Sequence, residues 1–101
     1  MIVYNETVIV DEAIQRQWLS WMQQENIPRV MATGHFNRYA ILNVLDSPNE
    51  GVTYCVQYFA DTRESYAKFA EAHLPQLHAL HMQQFENQFV LFNTLMQTIH
   101  S

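Results

Sequence analysis

The chain has little of several things that would announce a function. Its two glycines, Gly34 and Gly51, stand alone, so there is no glycine-rich loop to cradle phosphates, and no nucleotide cofactor is expected. Cys55 is the only cysteine, which excludes an intramolecular disulfide, and it has no His-Cys spacing around it that reads as a metal motif. Five Lys or Arg residues face ten Asp or Glu, for a net charge of -5, and the basic residues are scattered. Without a basic stripe to neutralise phosphates, nucleic acid is not an expected partner. No apolar run approaches the ~20 residues that span a bilayer, and the N-terminus has neither a basic start nor a small-residue cleavage site. The simplest address is cytoplasmic, with no membrane partner.

What is present is patterned. At 101 residues the chain fits one domain over 1–101 with a single core. Ile2 to Val10 alternates Tyr4, Glu6 and Val8 against Val3, Asn5 and Thr7, and reads as a strand whose apolar face Glu6 interrupts. Asp11 stands where an N-cap belongs, and Ile14, Trp18, Trp21 and Met22 then mark the inner stripe of a helix to about Glu25. Tryptophans at this spacing belong to a core, and each indole N–H then needs a partner. Ile27-Pro28 predicts a stop, followed by a short helical segment over Pro28 to Thr33 that Gly34 caps.

Phe36 to Leu45 is expected to be the second strand, joined through Ser47 to Gly51 to a third, Val52 to Ala60. In the third, Tyr54, Val56 and Tyr58 share one face and Thr53, Cys55, Gln57 and Phe59 the other. Asp61 or Thr62 caps a second helix, with Glu64 at the capping-box position relative to Asp61. Tyr66, Phe69, Ala70, His73, Leu77 and Leu80 form its expected buried stripe, and Pro75 predicts a kink or restart. Asn87 turns the chain into a last strand over Gln88 to Ile99.

The order β-α-β-β-α-β predicts a ferredoxin-like α+β fold: a four-stranded antiparallel sheet with both helices on one face. The first and third strands are then central. The opposite sheet face collects Val3, Ile9, Phe59, Phe92 and Met96, too much apolar surface for open solvent. A homodimer through that face is the economical cover.

The segments MIVYNETV, WLSWMQQENIPRVMATGHF, GVTYCVQYF and HLPQLHALHMQQFENQFVLFNTLM resemble an uncharacterised family of small bacterial proteins, DUF4286, over nearly the whole chain. The resemblance implies membership of the dimeric α+β-barrel group, which includes cofactor-free monooxygenases, haem-degrading proteins and plain binding modules. It carries over no catalytic residues. Asn26 stands where the family pattern has His before the Ile-Pro step, and Glu6 where it has an aliphatic residue.

The residues leave more than one chemistry open. His78 and His81 are helix neighbours, but without an HExxH or an adjoining carboxylate set no metal site is expected. The leading expectation is a small homodimeric binding or interaction module of unknown ligand, with a small apolar or aromatic molecule as one candidate. The alternative is a cofactor-independent enzyme, monooxygenase- or isomerase-like, with a pocket between sheet and helices lined by Asn5, Gln57, Tyr58, Trp18 and His73. A further alternative is haem binding through His73 or His35, the latter at a strand mouth beside the Gly34 cap.

Overall fold

The computed structural model describes residues 1–100 and has four strands, β1 Ile2–Val10, β2 Arg38–Asn43, β3 Val52–Ala60 and β4 Phe89–Gln97. They form one sheet in the order β2-β3-β1-β4, and every neighbouring pair is antiparallel. This is the expected ferredoxin-like α+β arrangement, with β1 and β3 central. β2 and β4 are shorter than the predicted strands. Asp46 with φ 57 leaves extended geometry beyond β2, and the bond from Thr98 N to Met1 O at 2.8 Å closes the end of β4.

Pairing fixes which side chains share a face. Tyr4 lies opposite Tyr58 and Leu95, Glu6 opposite Val56 and Asn93, and Val8 opposite Tyr54 and Leu91. Because side chains alternate along a strand, all of these point to one side. That side carries the helices: Tyr4, Val8, Tyr54, Val56 and Tyr58 are buried there against Trp18, Met22 and Phe69.

The first crossover differs from the expected helix, stop and second helix. Glu12–Ile14 forms a 3-10 turn, α1 runs over Gln15–Trp21, a π turn spans Met22–Asn26, and α2 continues over Ile27–Ala32. Ile27 itself is helical (φ -62, ψ -44), so Pro28 does not stop the chain. The wider π turn changes the backbone bonding register just ahead of Pro28, which has no N–H to contribute. Asp11 does not cap with its side chain either; its carbonyl accepts from Ile14 N at 3.1 Å instead.

The second crossover splits at His73 into α3, Arg63–Ala72, and α4, Leu74–Gln84, with Pro75 in the first turn of α4. Thr62 caps α3, accepting from Ser65 N at 3.1 Å, while Asp61 accepts from Asn37 Nδ2 at 2.7 Å and forms no capping box with Glu64. The restart changes the phase of the buried stripe. Leu77, His81 and Phe85 are buried, Leu80 is exposed, and His73 is only half-buried.

Gly51 is fixed by its surroundings as well as its conformation. At φ +88, an added Cβ would overlap the carbonyl oxygen of Val10. Gly51→Ala is therefore expected to cost about 2 kcal/mol in denaturant unfolding, since left-handed strain and a backbone clash add. Gly34 at φ +79 has open space around it, so Gly34→Ala should lose less than Gly51→Ala in the same measurement.

Candidate functional site

The most unusual feature of the helix-covered face is a carboxylate in its centre. Glu6 is 5% exposed, on a central strand, with Tyr4 two residues earlier on the same face. The Tyr4 hydroxyl donates to Glu6 Oε2 at 2.8 Å. From α4, His78 brings Nε2 to 3.4 Å from the same oxygen, a contact at the long end of hydrogen bonding. Glu6 has no Lys or Arg partner: the Lys and Arg salt bridges of the described residues pair Arg29 with Glu25 and Lys68 with Glu64, both exposed. Burial and the nearby Glu6 charge push the phenols of Tyr4 and Tyr66 above the ordinary tyrosine value, so both stay neutral donors.

His81 lies one turn beyond His78 and is 2% exposed. It answers the question raised by the buried indole, because Trp18 Nε1–H donates to His81 Nε2 at 2.9 Å. An indole only donates, so that nitrogen must carry a lone pair and the ring proton of the neutral imidazole belongs on Nδ1. His81 also stacks on Phe89 with centroids 4.1 Å apart and planes 12° apart, with Trp21 tilted against it. Burial lowers its pKa to about 4, Glu6 partly opposing and His78 adding to the fall.

Between α4 and the β4 edge these residues bound a cleft of about 340 Å³. Its walls are His78, His81, Met82, Phe89, Leu91 and Asn93. Glu6 lies behind the wall, in contact with His78 and opposite Asn93 in the β1–β4 pairing. In the neutral tautomer that donates Nε2–H to Glu6, Nδ1 of His78 carries the lone pair; the ring is about one-third exposed.

The expected site residues are distributed differently. Trp18 backs the cleft through His81. Tyr58 is fully buried on the helix side with its hydroxyl unpartnered among the described residues, and burial followed by the Glu6 charge raises its pKa. Asn5 and Gln57 are on the opposite sheet face, where Gln57 Nε2 donates to Asn5 Oδ1 at 3.4 Å and Asn5 Nδ2 to Thr7 Oγ1 at 3.0 Å. They cannot share a pocket between sheet and helices with Trp18 and Tyr58, because their strand positions have the other parity. His35 and His73 face each other near the α3–α4 junction, centroids 5.8 Å apart, and neither lines the cleft. Asn26 is buried in the π turn, its Nδ2 on the Met22 sulfur at 3.5 Å.

Glu6, His78, His81 and Asn93 are the residues that patterns alone did not assemble. A signal existed for the first: a carboxylate breaking the apolar face of a central strand. Among the described residues no group of three or more His, Cys, Asp or Glu side chains is arranged to hold a metal ion.

A four-stranded antiparallel sheet with one helix-covered face and a cleft at the β4 edge places the chain in the ferredoxin-like α+β class. Solved structures agree on the fold. The chain superposes on a variant of SnoaB, a cofactor-independent oxygenase from Streptomyces nogalater, with TM-score 0.73, 12% identity, and coverage of 99% of this chain and 94% of that one. It matches HapK from Hahella chejuensis at TM-score 0.72 and 14% identity, covering 100% and 95%. A dimeric ferredoxin-like protein from an uncultured marine organism gives TM-score 0.71 and 15% identity, covering 100% and 97%. At these identities the likeness is one of fold. No curated protein matches the sequence significantly. The family itself is settled by the sequence: residues 1–99 match the model for the domain of unknown function DUF4286, and the chain belongs to that family.

Proposed function

We propose that the protein is a cofactor-independent enzyme whose first step removes a proton from a small, weakly acidic apolar molecule bound in the α4–β4 cleft. The observation that carries this reading is the buried Glu6 carboxylate held against His78 at the cleft wall. His78 Nδ1 takes the proton, the imidazolium formed is stabilised by Glu6, and the substrate is left as an enolate or carbanion. Monooxygenase- and isomerase-like reactions share this step. The likeness in fold to SnoaB, a cofactor-independent oxygenase, supports this class of reaction and assigns no substrate.

The test is deuterium exchange into a panel of cyclic 1,3-diketones and keto-aromatic C–H acids in D2O. Exchange catalysed by the native protein should fall about 100-fold in Glu6→Gln and in His78→Ala, the usual scale for loss of a general base. Equal rates in all three folded proteins would refute the reading.

The binding-module reading draws on a different surface. On the uncovered sheet face Leu42, Val90, Phe92 and Met96 are exposed, Phe92 at 57%, around the Asn5–Gln57 polar centre. We infer that a second copy covers this face, as the dimeric state named for one structural neighbour also suggests. Light scattering at micromolar concentration should give a dimer, and Phe92→Asp a monomer. A native protein that is strictly monomeric would contradict it. The two surfaces lie on opposite sides of the sheet, so dimerisation leaves the cleft open.

A further inference from the structure

We infer that the α4–β4 cleft selects neutral molecules that donate a hydrogen bond, phenols and enols above all, and rejects carboxylates. The inference rests on the proposed ligand site and adds its selectivity. Its basis is where the charges are. The one carboxylate against the cleft wall is Glu6, which is buried, has no Lys or Arg partner and contacts His78.

The five Lys and Arg side chains all lie elsewhere. Arg16 lines a groove with Gln17 and Gln24, Arg29 pairs with Glu25, and Arg38 lies 3.7 Å over the Phe59 ring. Arg63 borders a separate cleft with Asp61 and Met1, and Lys68 pairs with Glu64. None lines the α4–β4 cleft.

An anion entering the cleft therefore approaches the buried Glu6 carboxylate behind His78, with no Lys or Arg in the lining to offset it. Such repulsion is much stronger than the same pair would feel in water. A neutral hydroxyl meets no such barrier. It can donate to the His78 lone pair or to the Asn93 amide oxygen, while Met82, Phe89 and Leu91 cover an apolar body. The same neutrality suits the proposed chemistry. A ligand that arrives protonated has a proton to lose, and one that arrives ionised has already lost it.

Phenol and benzoate make a matched pair of probes. At pH 8 phenol is neutral, benzoate is an anion, and free imidazoles are largely neutral. Binding followed by tryptophan fluorescence, through Trp18 and Trp21 behind His81, should show phenol at least roughly tenfold tighter than benzoate. Glu6→Gln should bring the ratio toward one. Asn93→Lys, an exposed change that leaves Glu6 in place, should improve benzoate binding specifically. Benzoate bound as tightly as phenol by the native protein, or a ratio unchanged in both variants, would overturn the selectivity while leaving the site standing. Failure of both probes to bind would overturn the site together with its selectivity.

Discussion

Trp18→Ala is expected to lower the unfolding free energy by about 4 kcal/mol, the scale on which a buried large aromatic is lost to alanine. Trp18 is fully buried, stacks on Tyr54 at 5.0 Å and, among the described residues, makes the only hydrogen bond to the His81 side chain. Two losses combine in this change: the packing of the indole and the donor for a buried imidazole nitrogen. Small domains hold only ~5–15 kcal/mol in reserve, so the variant should be marginal at 37 °C. Trp18→Phe separates the two losses. It retains most of the stack on Tyr54 but leaves His81 Nε2 buried without a donor, a loss of about 1–3 kcal/mol. Urea unfolding of the three proteins measures both quantities. A loss below 1 kcal/mol for Trp18→Ala would mean that helix α1 is not seated on the sheet as described.

The second large effect is a pH dependence. The folded protein holds His81 neutral down to about pH 4, whereas in the unfolded chain the imidazole protonates below its ordinary 6.5. Protonation would also turn Nε2 from an acceptor into a donor facing the Trp18 N–H, so geometry and burial act in the same direction. Between these two values the unfolded state binds a proton that the folded state does not. Stability contributed by His81 is therefore full above pH 6.5, falls as the pH drops from 6.5 toward 4, and changes no further below that. The loss over the window amounts to about 3 kcal/mol. His81→Gln can still accept from the indole but does not titrate, so the difference between native and variant curves isolates the contribution from acid-sensitive carboxylates. Parallel curves from pH 7 to 4 would show that His81 is solvated or charged in the folded protein.

The architecture was legible because its determinants are local. Alternation in Ile2–Val10 and Val52–Ala60 set the two central strands, and β-α-β-β-α-β order then left few ways to assemble them. The Trp18, Trp21 and Met22 stripe was legible for the same reason. Pro75 marked the restart at α4, but the sequence could not show by how much the helix phase would turn. That rotation exchanges Leu80 for His81 in the core and makes His81, not His73, the buried histidine. Ile27-Pro28 misled because a π turn, which has no reliable residue signature, keeps Ile27 helical.

The site was less legible because it is assembled across the fold. Glu6 comes from β1, His78 and His81 from α4, and Asn93 from β4, so only register and helix placement bring them together. Glu6 looked like a flaw in an apolar face. Once the sheet is formed, a buried carboxylate without a strong cation partner is expensive, and such groups are found where chemistry needs them. Asn5 and Gln57, by contrast, satisfy one another on the face we assign to the second copy.

The most direct test follows two methionine methyl groups during a titration with phenol, using 13C-methyl-labelled protein and NMR. Met82 lines the cleft, and Met96 lies on the uncovered face of β4. A ligand site between α4 and β4 predicts a saturable shift of the Met82 methyl, with Met96 unmoved. A Met96 shift with Met82 silent would place the ligand on the opposite side of the sheet and contradict the account.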